Sequence, residues 1–218
     1  MQVSYFTIQD FGKDEFEEKK STFIGRAKRI YTEDEAKDFI NQVKAEEKEA
    51  RHNVYAYVIG ENMGIQRYSD DGEPQGTGGI PVLDVIKKNE VTDIVIVVTR
   101  YFGGILLGKG GLVRAYSKGA AVAIKDSGIV EKVKGRCINF TVEYDALGKI
   151  QYLFEQNFWH IENIDYTDKV SLTMFCELDI ITTVEKKVLE ITSGNCKVTK
   201  EDENFYFKMD NRLYEDKQ

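Results

Sequence analysis

Arg100, Lys109, Arg114 and Lys118 fall within one stretch, TRYFGGILLGKGGLVRAYSK (residues 99–118), where Gly103, Gly104, Gly110 and Gly111 separate the charges. Cationic side chains set among glycines suit the holding of an anion: the cations neutralise it, and glycine lets it approach backbone amides. No Asp or Glu occurs between Asp93 and Asp126, and Lys125 adds a fifth positive charge, in a chain of net charge −7. The remainder therefore carries −7 − 5, or about −12, and the charge distribution is two-faced.

A second glycine-rich loop, RYSDDGEPQGTGGIP (residues 67–81), gathers Asp70, Asp71 and Glu73. Carboxylates about a glycine turn could ligate a divalent cation, but these lack the alternating ligand pattern of an EF-hand. S-D-D-G-E-P is made of turn formers, so the segment reads as a solvated turn or as an ion-pair partner of the basic loop, with Arg100 set against Asp70 or Asp71, and no metal is expected. His52 could join Ser69 and Asp70 in a triad by residue type alone, yet no nucleophile elbow accompanies it, and it reads as a hydrogen-bonded loop partner. Gly103 to Lys109 has the spacing G-x-x-x-x-G-K, but Gly110 stands where a P-loop needs the hydroxyl that ligates magnesium. No catalytic residue and no cofactor are expected. Tyr101, Phe102 and Tyr116 interleave with the basic residues as stacking positions for single-stranded nucleic acid would; one of the three is expected to be exposed, the others to pack in the core.

These residues need elements to position them. The aliphatic run 94–98 predicts a buried strand, followed by a helix from about 111 to 126 capped by Gly128. Thr32 and Glu35 form a capping box ahead of Ala36, Phe39, Ile40 and Val43 at helical spacing. Residues 53–59 and 65–68 read as strands paired across a turn, and Pro81 suits the first turn of a short helix to Lys88. After Gly128 the rhythm becomes strand (136–143), helix opened by Asp145, two strands flanking Asp168, helix (183–191) and strand (196–207). That β-α-β-β-α-β order is the mark of a ferredoxin-like fold, an antiparallel sheet with two helices on one face. The expected fold class is α+β, with an N-terminal α/β domain over 1–130, a smaller ferredoxin-like domain over 134–218, a short connector near 129–135 and a fraying C-terminal EDKQ.

At 218 residues the chain has room for one large domain or two small ones, and 42% hydrophobic with 31% charged residues is ordinary for a soluble protein. The run 94–98 is far too short to span a bilayer and the N-terminus lacks a signal-peptide layout, so a cytoplasmic location without membrane association is expected. Cys137, Cys176 and Cys196 are odd in number and dispersed, indicating neither a disulfide framework nor a zinc site. A pI of about 5.1 confines nucleic-acid binding to a local patch, for which residues 100–125 are the candidate.

KKSTFIG (19–25), ARHNVYAYVIG (50–60), RYSDDGEPQGTGGIP and VVTRYFGGILLGKGGLVRAYSKGA (97–120) together resemble successive signatures of the YigZ/Impact family, and the part from Gly135 on resembles the smaller C-terminal domain of its bacterial members. The resemblance implies an N-terminal domain similar to the second domain of a small-subunit ribosomal protein and to domain IV of elongation factor G, with a C-terminal domain like domain V of the same factor. Eukaryotic Impact proteins, similar only in the N-terminal part, act as translational regulators that restrain the amino-acid-starvation kinase. The resemblance carries over no catalytic residue. The expected function is non-enzymatic: RNA or ribosome binding, with a role in translation or stress regulation. The rivals are a phosphate-ester or nucleotide enzyme using the same loop, with metal at Asp70, Asp71 and Glu73, and a regulator that binds an acidic protein.

Overall fold

The computed structural model describes residues 4–216 and is an α+β fold with two sheets and five helices among them. The chain divides between Val130 and Glu131 into two compact units. The first runs β1 (Ser4–Ile8), β2 (Gly12–Glu18), β3 (Ser21–Arg29), α1 (Glu33–Glu46), β4 (His52–Ile59), β5 (Ile65–Ser69), α2 (Gly79–Lys88), β6 (Ile94–Tyr101) and α3 (Lys109–Ser127). Strands β2, β3, β6, β4 and β5, in that order, form one antiparallel sheet.

The aliphatic run explains why β6 lies at the centre. A strand sends successive side chains to opposite faces, and this sheet carries helices on both. Ile94, Ile96 and Val98 pack with Val82 and Ile86 of α2 and Leu112 and Tyr116 of α3. Val95 and Val97 pack with Ala36, Phe39, Ile40 and Val43 of α1. At the start of α1 the Thr32 hydroxyl accepts the Glu35 N–H (3.2 Å), while the Glu35 carboxylate accepts from Tyr31 N–H (2.6 Å), so the predicted capping box closes one residue early. On the opposite layer α3 lies almost on the sheet backbone: a Cβ on Gly25 would fall 2.1 Å from the Gly119 carbonyl oxygen, and one on Gly12 2.3 Å from that of Ala123.

The second unit is organised on β7 (Ile129–Val142), followed by α4 (Tyr144–Gln156), β8 (Asn163–Tyr166), β9 (Val170–Glu177), α5 (Ile181–Ile191), β10 (Cys196–Lys200), β11 (Asn204–Met209) and β12 (Arg212–Glu215). β9 pairs along one edge of β7 with β8 beyond it; β10 and β11 follow each other along the other edge, and β12 pairs with β11. Ile138, Phe140, Leu172 and Met174 bury one face of this sheet against Ile150 and Phe154 of α4 and Val184 and Val188 of α5.

Three expectations are corrected here. Residues 129–135 are strand rather than connector, since Val133 is buried with Tyr206 and Leu213. The single strand expected over 196–207 is two: between the pairs Lys200↔Ile138 and Asn204↔Gly135 the chain advances four residues against three, the one-residue excess of a β-bulge. The chain then turns through Asp210 and Asn211, both at positive φ (48° and 63°), a two-residue hairpin that adds β12. The tail is held rather than frayed as far as Asp216, whose carboxylate accepts from the buried Lys132 ammonium at 2.8 Å. Lys217 and Gln218 of the EDKQ tail lie outside the described residues.

Candidate anion-binding site

The acidic loop between β5 and α2 assigns each carboxylate a separate partner. Asp70 accepts hydrogen bonds from the amides of Gly76 (2.8 Å), Gly78 (2.9 Å) and Gly79 (2.8 Å). Burial alone would raise its pKa, but the three amides outweigh burial and hold the carboxyl below the usual range. The amides of this glycine loop are thus occupied from within. Asp71, at φ 44°, accepts from the Lys44 ammonium and the Asn53 amide (both 2.6 Å), and its carbonyl oxygen lies 2.8 Å from Nδ1 of His52. Glu73 turns inward. Its Oε1 accepts from Nη1 of Arg100 and from the hydroxyl of Tyr116, each at 2.7 Å, in a cluster where all three residues are buried.

That geometry corrects two expectations. Arg100 is the buried ion-pair partner of the acidic loop, as the second reading had it, but it pairs with Glu73 rather than with Asp70 or Asp71, and it is absent from the exposed basic surface. The acidic loop is a set of structural anchors rather than a solvated turn. Among the described residues no group of three His, Cys, Asp or Glu side chains is arranged to hold a metal ion. Burial first, and then the neighbouring Glu73 carboxylate, push the Tyr116 hydroxyl far above its ordinary pKa, so it stays protonated as the donor. His52 sits next to this cluster, opposite Arg100 in the β4–β6 register.

The end of β6 is tied to both layers. Thr99 receives a bond from Arg26 (3.2 Å) and donates to Asn53 (2.7 Å). Tyr101 donates to Glu47 at the end of α1 (2.5 Å), and Arg26 pairs with the same carboxylate. The Glu47 hydrogen bond, reinforced by burial, pushes the Tyr101 pKa up to about 12.

Beyond this anchor the basic loop leaves the sheet. Its glycines divide by task. Gly103 presses on the β2–β3 turn, where a Cβ would sit 1.8 Å from the Lys20 carbonyl oxygen, and Gly111 presses on the Leu107 side chain. Gly104 (φ 83°) and Gly108 (φ 71°) take the left-handed conformation with open space where a side chain would be. The nearest atom to a Cβ on Gly110 would be the Arg114 guanidinium, at 3.7 Å, so that arginine folds back over the first turn of α3. Gly108 caps α3 without a side-chain bond, the first turn holds no acidic residue, and the first intrahelical bond is from Leu112 N–H to Gly108. The amides ahead of it have no intrahelical acceptor.

Lys109, Arg114 and Lys118 are exposed, and none of them pairs with a carboxylate among the described residues. Lys118 rests 4.2 Å above the Phe16 ring. Positive charge at a helix N-terminus opposes the macrodipole, so an anion here would be stabilised by the side chains and the helix together. Sequence reasoning missed the aliphatic part of the surface: Leu106 is 81% exposed and Ile105 42%, with only Leu107 of the run turned inward. Of the interleaved aromatics, Phe102 is the exposed one, Tyr116 is core and Tyr101 lies between.

Residues 19–124 match the Impact N-terminal domain, and residues 140–195 match a domain of unknown function, DUF1949. The chain is 38% identical over 212 residues to the IMPACT family member YvyE of Bacillus subtilis, covering 97% of this chain and 98% of that protein. It is 36% identical over 179 residues to the IMPACT family member YigZ of Escherichia coli, covering 81% and 88% respectively. A solved structure described as the crystal structure of a hypothetical protein superposes with a TM-score of 0.60 at 32% identity, covering 93% of this chain and 99% of that one.

Proposed function

The chain belongs to the IMPACT family, and from that premise we propose that it is a non-enzymatic, cytoplasmic regulator of translation or of a stress response that binds RNA, free or within the ribosome. The binding surface is loop 102–108 with the first turns of α3. One observation carries this reading: Lys109 at the start of a 19-residue helix that has no side-chain cap, and Arg114 and Lys118 in its second and third turns, stand exposed and without carboxylate partners among the described residues. RNA phosphates would supply both the missing counter-charge and the acceptors for the first-turn amides. A nucleotide enzyme is disfavoured because Gly110 lacks the magnesium-binding hydroxyl of a P-loop and the nearby carboxylates are engaged by amides, Lys44 and Arg100. Two further readings belong to this proposal: the first unit is like domain IV of elongation factor G, and the second is ferredoxin-like. The sheet order β10-β7-β9-β8 with α4 and α5 on one face supports the latter.

The test is Lys109→Ala with Arg114→Ala and Lys118→Ala. The melting temperature should stay nearly unchanged, RNA affinity should fall sharply, and the slope of log K against log salt should become shallower by about 0.7–0.9 for each phosphate that is no longer neutralised. A stable triple variant with wild-type affinity and slope overturns the proposal.

A further inference from the structure

Phe102 and Arg100 form a supported aromatic platform whose construction exceeds what phosphate binding requires. The Arg100 guanidinium carbon lies over both rings, 5.4 Å from the Phe102 ring centroid and 5.6 Å from that of Phe23. Glu73 fixes that guanidinium by its Nη1 bond, and the Tyr116 hydroxyl fixes Glu73 in turn. One face of Phe102 is therefore backed by a clamped, planar cation. Phe102 nevertheless stays 45% exposed. Arg100, with only 7% of its side chain exposed, has its Nε buried with no acceptor among the described residues. Directly after the platform, Ile105 and Leu106 project at the tip of the loop.

Resting on the RNA reading above, we propose that the outer face of Phe102 receives a single unstacked RNA base, with Ile105 and Leu106 wedged beside it and the adjoining phosphate at Lys109 and Arg114. The chemistry follows from the parts. Every base has a π-face, so stacking on an aromatic ring is tolerant of sequence, and apolar side chains entering a base step hold the unstacked state open. A duplex buries its base faces in its own stack and offers the platform only phosphates. The partner class is therefore single-stranded or looped RNA rather than regular helix.

The experiment compares the full chain with three variants, Phe102→Leu, Phe102→Tyr and the triple alanine variant of the basic residues. Each is titrated by fluorescence anisotropy into a labelled unstructured RNA of about twelve nucleotides and into the same sequence as a duplex. The wild type should prefer the single strand. Phe102→Leu should lose roughly 5- to 150-fold in single-strand affinity with an unchanged salt slope, Phe102→Tyr should retain it, and duplex affinity should move little in either. Thermal melting checks that both variants fold, and the tyrosine variant keeps the result interpretable if leucine disturbs the loop. A change below about twofold for Phe102→Leu, with the basic variant still defective, overturns the platform and leaves the RNA reading standing. Wild-type protein that binds neither RNA overturns both and turns the surface toward an acidic protein partner.

Discussion

Replacing Glu73 by alanine tests whether the first unit is assembled around a buried charge. Glu73 is 8% exposed, Arg100 is 6% and Tyr116 is fully buried, and one oxygen of Glu73 serves both donors at 2.7 Å. Removing one partner of a buried ion pair costs about 3–5 kcal/mol, because the surviving charge stays desolvated; the orphaned tyrosine hydroxyl contributes to the same loss rather than adding independently. For a unit of some 130 residues, an unfolding entropy of about 2.1 cal/mol/K per residue turns that into a fall of roughly 10–20 °C in melting temperature. Calorimetry of the full chain should show the fall, while fluorescence of Trp159, the single tryptophan and a residue of the second unit, should report an unshifted transition there. Glu73→Gln, which keeps an acceptor for Tyr116, isolates the charge contribution. The double variant Glu73→Leu with Arg100→Met should recover most of the loss, since no unpaired charge remains. A loss under about 1 kcal/mol for Glu73→Ala, or a double variant no better than the single, refutes the reasoning.

Other outcomes follow from the packing and the charges. Gly25→Ala should destabilise the first unit by about 1–3 kcal/mol, because its Cβ would strike the Gly119 carbonyl at 2.1 Å, whereas Gly148→Ala, in open space on α4, should stabilise the second by about 1 kcal/mol; denaturant titration reads both. Asp70 has a lowered folded-state pKa, so the stability it contributes is complete above its unfolded value of about 4 and is lost as pH falls through the folded value. Asp70→Asn should therefore flatten the acid limb of the stability profile below about pH 4, and an unchanged limb in pH-dependent urea melts counts against the amide cage. A fragment of residues 131–218 should fold cooperatively by circular dichroism, while one of residues 134–218, lacking the pairing of residues 131–133 with β11 and the buried Val133, should melt lower or not fold.

The elements with strong local signals were legible in the chain. The run 94–98 had to be a buried strand, Thr32 had to open a helix, and Gly128 had to close one, since aliphatic clustering, capping chemistry and positive φ act over a few residues. Partnerships formed across the sequence were not. The loop 70–73 advertises carboxylates, but nothing local says that Asp70 will turn back on its own glycines or that Glu73 will cross to Arg100 and Tyr116. The strand predicted over 196–207 hid its bulge because Glu201, Asp202 and Glu203 read as one polar stretch. Gly12, Gly25 and Gly119 looked ordinary for the same reason: their importance lies in a backbone far away in sequence. In the candidate site, Lys109, Arg114 and Lys118 are exposed, as the holding of an anion requires. The exposed Ile105 and Leu106 went unread, because an apolar run beside a core strand suits core as well as surface.

The last three residues of β6 moor alternate sides of the first unit, Thr99 and Tyr101 toward α1 and Arg100 toward α3. A loop released from a strand held in this way has a fixed root and a free tip. Association then costs little entropy at the root, where the backbone is already ordered, and the freedom surrendered on binding is confined to the few residues between the two left-handed glycines, Gly104 and Gly108. Affinity at this surface can thus change through substitutions at the tip alone, without passing through variants that endanger the fold.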